Sequence, residues 1–199
     1  MKNFDFDWQI YQGEEIGITN LHYSSIDQYR DVESLNYYRI LMENGKTSEE
    51  AMEIIAERSR DNGRTPMQWD NSHAAGFTTG TPWILPPENY KSINAAAQME
   101  DETSIRAFYK KLISLRKEME LISEGKIEFL MKEHPTVLAY RRYTDNQEML
   151  VLCNFTGEET EVSLPQGWDS SDVLLTNWDR NTVSGNLMLK PYECLALVR

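Results

Sequence analysis

Apolar positions along the chain change their period near Ser123. Before it they recur every three or four residues between turn-rich loops; after it they alternate in short runs, as strands do. Tyr29, Val32, Leu35, Tyr38 and Leu41 predict a helix from about Ile26 to Met42, with Gly45 as its stop. Thr47-Ser48-Glu49-Glu50 fits a capping box, in which a hydroxyl and a carboxylate each take a backbone N–H that the first helical turn leaves unpaired. A second helix should therefore start there and run to about Arg58. The third begins near Ser104, where Ile105, Phe108, Tyr109, Leu112, Ile113 and Leu115 build an apolar stripe opposite Arg106, Lys110, Lys111 and Lys117. That stripe needs a surface to cover it.

The irregular stretch from Asp61 to Asn94, rich in Gly, Pro, Asn and Trp, is longer than structureless connections usually run. Ordered loops of such length usually carry function. After Ser123 the alternation predicts strands near Ile127 to Lys132, Val137 to Tyr143, Met149 to Phe155, Glu161 to Leu164, Val173 to Thr176, and Cys194 to Val198. Asp145-Asn146 and Thr156-Gly157 supply turn chemistry for hairpins, and an antiparallel β-sandwich is the natural closure.

Composition narrows the functional classes. The 199 residues are 40% hydrophobic, enough for one large domain or two small ones, and carry a formal net charge of -12. Such a charge repels a phosphate backbone, so nucleic acid is excluded as a partner. No apolar run approaches the roughly 20 residues that span a bilayer, and no apolar segment of a secretory signal follows Met1-Lys2; the expected location is the cytoplasm, with no membrane partner. Cys153 and Cys194, far apart in sequence and in apolar contexts, are expected as buried thiols rather than a disulfide framework or thiolate metal site.

His22, His73 and His134 lack metal-ligand spacing, so no metal is expected. With neither a Gly-rich phosphate cradle nor a Gly-x-Ser-x-Gly elbow, nucleotide and acyl-transfer chemistry find no support, and no cofactor is expected.

Four blocks carry a family resemblance. They are Ile10-Tyr11-Gln12-Gly13-Glu14-Glu15-Ile16-Gly17, Arg30-Asp31-Val32-Glu33-Ser34-Leu35-Asn36, Ser59 through Asp70 with its Arg-Asp-Asn-Gly-Arg-Thr-Pro-Met-Gln-Trp-Asp core, and Gly76-Phe77 through Pro82-Trp83. With Leu112-Ile113-Ser114-Leu115-Arg116 on the third helix, they resemble in content and order the C-terminal part of an α-glucosidase of the α-amylase superfamily, in the oligo-1,6-glucosidase and trehalose-6-phosphate hydrolase branch. Ala139-Tyr140-Arg141-Arg142 and Asn154-Phe155 continue the likeness. Pro86-Pro87-Glu88-Asn89-Tyr90 departs from the family's Val-Asn-Pro-Asn-Tyr, and residues Met1 to Gln9 depart from its usual lead into the strand.

The resemblance implies an α+β chain: a remnant of the last βα unit of a TIM-type barrel (strand eight, a long loop and helix eight, mainly helical) over residues 1–123, then an antiparallel β-sandwich over residues 124–199. Ile10 to Gly17 would end barrel strand eight. The family's nucleophile Asp, general acid Glu and stabilising Asp stand on strands four, five and seven, so no catalytic residue is assigned and the chain is expected to be inactive alone. Oligosaccharide is the implied substrate of the parent enzyme, with Arg64 reaching the innermost glucose and Glu33 near the neighbouring subsite. Self-association through the barrel-facing surface is expected, and a non-catalytic module binding carbohydrate or a partner subunit is the alternative.

The residue chemistry leaves some roles open. Glu14 and Glu15, adjacent on an expected strand, would point to opposite faces and so could not serve as a catalytic pair; ion pairing or turn stabilisation suits them better. Arg60 and Arg64 flank a Gly-containing turn, where a guanidinium fork could grip sugar hydroxyls or pin the loop through carboxylates. Trp69, Trp83 and Phe77 could stack on a sugar, but anchoring the loop to the core is the expectation.

Overall fold

The computed structural model describes residues 10–199. Backbone contacts gather the chain into two compact units, one ending at Lys110 and the other beginning at Lys111.

In the first unit, helix α1 (Val32–Glu43) starts where Asp31 accepts the Ser34 N–H, and α2 (Ser48–Arg58) starts at the predicted capping box. Thr47 Oγ1 accepts the Glu50 N–H at 3.2 Å, and Glu50 accepts the Thr47 N–H at 2.9 Å. The single helix expected from Ile26 to Met42 is broken. Ile26–Gln28 make one 3-10 turn, then Tyr29 turns extended and goes into the core at 1% exposure, its hydroxyl donating to the Leu21 carbonyl. Val32, placed on the buried stripe by sequence, lies 67% exposed, and Leu41 is the buried apolar residue of α1. Leu21, Tyr29, Ile55 and Ile84 form the local core, and the partly buried Leu35 and Tyr38 of α1 pack against it, so both helices and the long loop contribute.

The Asp61 to Asn94 stretch is irregular as expected, punctuated by 3-10 turns at Arg60–Arg64, His73–Gly76 and Glu88–Lys91. A short helix that sequence periodicity missed, α3 (Ala95–Met99), is capped by Asn94, whose side chain accepts the Ala97 N–H at 2.8 Å. Helix α4 (Ile105–Glu118) is the third predicted helix and crosses the division between the units. None of its residues is buried. The barrel-strand ending expected at Ile10 to Gly17 is not extended: Glu14–Ile16 form a 3-10 turn between Gly13 and Gly17, both at positive φ. The remainder of that expected strand falls outside the described residues.

In the second unit, α5 (Glu120–Ser123) leads to seven strands: β1 (Lys126–Leu130), β2 (Val137–Tyr143), β3 (Glu148–Asn154), β4 (Thr160–Ser163), β5 (Asp172–Thr176), β6 (Asn186–Leu189) and β7 (Cys194–Val198). A five-stranded antiparallel sheet in the order β1-β2-β3-β7-β5 faces a two-stranded sheet of β4 and β6. Leu150, Leu152, Leu195 and Leu197 from the large sheet meet Val162, Leu187 and Leu189 from the small one, with Trp168 closing the core. The antiparallel sandwich is as expected, with two differences. Strand β6 was not predicted, and Thr156-Gly157 is no hairpin turn, because β4 pairs with β6 rather than β3. That turn carries the chain between sheets and is held by Asn154, 3% exposed, whose side chain accepts the Thr156 N–H and donates to the Glu158 and Lys190 carbonyls.

Candidate functional site

The first unit is organised around the Ser59 to Thr65 turn. Asn62 accepts the Leu21 N–H at 2.9 Å and donates to the Ala56 carbonyl at 2.7 Å, while Tyr11 donates to the Gly63 carbonyl and Gln12 to that of Thr65. Asp61, fully buried, takes the N–H groups of Arg30 at 2.6 Å and Asp31 at 3.0 Å on one carboxylate oxygen. Three of the sequence blocks thus converge on one turn: the Tyr11–Gln12 segment, the Arg30–Asp31 step and the Arg-Asp-Asn-Gly-Arg motif. A buried carboxylate in this position replaces lost hydration with charge-assisted bonds from backbone donors.

Arg64 projects from the end of the turn. Its Nη1 stands 3.8 Å from Asp31 Oδ1 and 3.7 Å from Asp61 Oδ1. These separations are those of an ion pair rather than a hydrogen bond, so charge orients the guanidinium without consuming its N–H donors in short bonds. With 43% of its side chain exposed, the fork can still offer donors to a ligand. Burial raises the Asp31 carboxyl, but hydrogen bonds from the Ser34 hydroxyl and N–H and from the Arg60 backbone, with the Arg64 charge, outweigh it and hold Asp31 below the usual carboxylate range. Asp31 is therefore anionic at neutral pH and a constant counter-charge to Arg64.

Glu33 sits on the first turn of α1 and pairs with Arg60 at 2.9 Å; both side chains are about two-thirds exposed. An exposed pair of this kind contributes about 0–1 kcal/mol, so it fixes neither partner firmly. Both residues line an open cleft of about 720 Å³ beside α1, together with Tyr37, Ile40 and Arg58. The structure thus groups Arg64 with Asp31 and Asp61, and Glu33 with Arg60. Sequence reasoning did not single out Asp31 or Asp61; an Asp before a helix and an Asp in a turn are read as local caps until their burial is known.

Glu14 and Glu15 hold a turn, on different grounds from those expected. They lie on a 3-10 turn rather than a strand; Glu14 accepts the Tyr11 N–H and Glu15 the Gly13 N–H, each at 2.8 Å. Asp31, Asp61, Glu14, Glu15 and Glu33 are each engaged by a backbone donor or a cation. Among these five described carboxylates no two are left free to flank a glycosidic bond, as retaining hydrolysis requires, while Arg64 is a positioned cation.

The long loop corrects one expectation. Trp69, Phe77 and Trp83 do not anchor it, being 53%, 51% and 69% exposed. Met67, Gln68, Ala75 and Ile84 are the buried positions. Ala74, Ala75 and Gly76 all adopt left-handed φ, at 52°, 59° and 68°, which costs about 1–3 kcal/mol for each alanine. The bend persists because the Ala75 carbonyl accepts the N–H groups of both Trp69 and Asp70.

Among the described residues, no group of three or more His, Cys, Asp or Glu could hold a metal ion, and no helix is long and apolar enough to cross a membrane.

Comparison with known proteins extends the geometry. Residues 5–125 match the family model of the α-amylase catalytic domain, and residues 137–195 that of the α-amylase SusG C-terminal domain. The chain is 44% identical to trehalose-6-phosphate hydrolase of Bacillus subtilis (strain 168) and 45% identical to oligo-1,6-glucosidase of Bacillus cereus, each alignment covering 94% of the chain and 34% of the relative. It therefore spans about a third of the length of these relatives. Among solved structures it is similar to trehalose-6-phosphate hydrolase of Bacillus licheniformis, with a TM-score of 0.90 and 45% identity over 95% of this chain and 35% of that one. The trehalulose synthase MutB of Pseudomonas mesoacidophila MX-45 superposes with a TM-score of 0.85 at 35% identity, over 96% of this chain and 35% of that one.

Proposed function

The chain belongs to the α-amylase family, and from that premise we propose that it forms the C-terminal part of a retaining α-glucosidase acting on short α-linked gluco-oligosaccharides. The observation that carries this reading is the placement of Arg64, a half-exposed cation fixed between two buried carboxylates at the turn where the family's blocks converge. In the parent enzyme Arg64 reaches the innermost glucose, and Glu33, loosely held by Arg60, lies near the neighbouring subsite. Residues 1–123 complete the barrel and residues 124–199 are its C-terminal sandwich. Substrates of the relatives' kind, trehalose phosphate or α-1,6-linked glucosides, fit this reading.

Bond cleavage requires a nucleophile and an acid on either side of the glycosidic oxygen. The family's groups for those roles stand on strands ahead of the matched region, so residues 1–199 by themselves bind or orient sugar and do not cleave it. Enzymes gain at least about a million-fold over the uncatalysed reaction, so loss of the whole carboxylate set leaves turnover at background. Purified chain is incubated with an aryl α-glucoside, isomaltose and trehalose-6-phosphate, and released glucose is measured. No release above background is expected. Saturable turnover that survives repurification and vanishes in Glu33→Gln would overturn the assignment.

A further inference from the structure

Cys153 and Cys194 are the chain's two cysteines, forty-one positions apart, yet they are direct cross-strand partners on β3 and β7. Their sulfurs lie 3.1 Å apart as free thiols. The ladder shows what kind of pair this is. Glu148 and Arg199 exchange both backbone hydrogen bonds at 3.0 Å, and the Asn154 N–H donates to the Glu193 carbonyl at 2.9 Å. Hydrogen-bonded pairs therefore fall at Glu148–Arg199, Leu150–Leu197, Leu152–Leu195 and Asn154–Glu193, leaving Cys153–Cys194 as a non-hydrogen-bonded pair.

In such pairs the α-carbons approach to about 4.5 Å, with the side chains closer than at hydrogen-bonded sites. Disulfides need α-carbons roughly 4.4–6.8 Å apart, so the bond can form without displacing either strand. Leu152 and Leu195 enter the sandwich core, so strand alternation puts the two thiols on the opposite face, where both are partly exposed. Leu138, the neighbour of Cys153 on β2, is 40% exposed, which leaves that face open to a small reagent.

We propose that Cys153 and Cys194 are a dithiol–disulfide couple that reacts with low-molecular-weight disulfides. Either sulfur can donate to the other, so the first thiolate formed is held by its neighbour's S–H while loss of the second proton is opposed. The Cys153 S–H holds the Cys194 thiol below the usual range against burial and the Glu193 charge, whereas the same bond and burial push Cys153 up. Cys194 thiolate attacks one sulfur of the reagent, forms a mixed disulfide and expels one thiolate, which is protonated. Cys153 then gives up its proton and attacks the Cys194 sulfur, forming the intramolecular bond and expelling the second thiolate. Two protein thiols are oxidised and one reagent disulfide is reduced to two thiols. The product ties β3 to β7 around the whole segment that carries β4, β5 and β6.

The test uses the full reduced chain with oxidised glutathione, followed by thiol titration and intact mass. Both thiols should disappear together, with loss of the mass of two hydrogen atoms and no retained glutathione. Cys153→Ser should retain one glutathione on Cys194 and acquire it faster than Cys194→Ser acquires one on Cys153. Near-ultraviolet dichroism identifies variants that have folded, and the wild-type result stands without them. Persistent glutathione adducts on the wild type, intermolecular disulfide dimers, or thiols that stay unreacted while the urea-unfolded chain oxidises fully would each overturn the proposal. The reverse rate order in folded variants would overturn the assignment of Cys194 as the attacking thiol.

Discussion

Arg180 grips Glu193 from both sides of its carboxylate, Nε to Oε1 at 2.6 Å and Nη2 to Oε2 at 2.9 Å, and Glu193 is fully buried. The same guanidinium donates to the Met188 carbonyl on β6, and Glu193 immediately precedes β7, so one ion pair links a strand of the small sheet to the start of an inner strand of the large one. Removing one partner of a buried pair strands the other's charge, at about 3–5 kcal/mol. Arg180→Ala should lower the sandwich's stability by that order in urea denaturation, whereas replacing both residues with apolar side chains should cost less than Arg180→Ala alone.

The pair also makes stability depend on pH. Burial raises the Glu193 carboxyl, but the bonds from Arg180 and the Lys190 N–H, with the positive charges of both residues, more than reverse this and hold it below the ordinary 4.5. A carboxyl depressed in the fold stabilises it above the unfolded value and loses that contribution as pH falls through the folded one. The stability gap between wild type and Glu193→Gln should be constant above about pH 5 and shrink steadily below pH 4.5. A gap that widens on acidification would contradict the assignment.

How far the sequence revealed all this depended on how local each signal was. The Thr47 capping box, the α4 stripe and six of the seven strands depend on residues within one turn or one alternating run, and they fell within a residue or two of where expected. Strand β6 has only four residues, Asn186-Leu187-Met188-Leu189, and its exposed position Met188 is apolar, so the run is too short and its alternation too masked to separate from loop. The break at Tyr29 arises because a core position outweighs helical period, and the Cys153–Cys194 pairing depends on a strand order that periodicity does not carry. At the candidate site Arg64 was legible through family likeness, while Asp31 and Asp61 became evident only from burial and from the backbone donors they accept.

In the full-length parent enzyme, Arg64→Ala should reduce turnover far more than Trp69→Phe. Arg64 is held with free donors beside two carboxylates, whereas the Trp69 ring is half exposed and the loop is pinned by its backbone N–H. A charged hydrogen bond made mainly in the transition state is worth about 1.5–3 kcal/mol, so kcat and kcat/KM should fall together by roughly ten- to a hundred-fold. Equal and small effects from both changes would remove Arg64 from the site.

The chain alone should self-associate. Ile105 is 48% exposed, and Phe108, Leu112 and Ile113 are only partly covered, so α4 offers a continuous apolar stripe of the kind that monomers rarely leave open. Sedimentation should reveal species heavier than a monomer, with binding of a hydrophobic dye, and Ile105→Lys combined with Phe108→Glu should reduce both. A clean monomer that binds no dye would count against a docking role for this stripe.

Asp61 offers a way to separate charge from hydrogen bonding at the candidate site. One oxygen accepts the N–H groups of Arg30 and Asp31, and the other, without a hydrogen-bond partner, faces Arg64 at 3.7 Å. Asp61→Asn keeps an acceptor for the two backbone donors and loses the charge, whereas Asp61→Ala removes the acceptor from both donors. Each stranded buried donor costs about 1–3 kcal/mol, and relief from burying a carboxylate offsets part of the loss in both variants. Asp61→Ala should therefore be less stable than Asp61→Asn by about 2 kcal/mol or more. Hydrogen exchange locates the cause: the Arg30 and Asp31 amides should stay protected in Asp61→Asn and exchange freely in Asp61→Ala, because only the latter removes their acceptor. In the parent enzyme Asp61→Asn should still impair turnover, since Arg64 loses one of the two charges that aim it. Full activity in Asp61→Asn, or protected amides in Asp61→Ala, would show that the turn holds its shape and its arginine by other means.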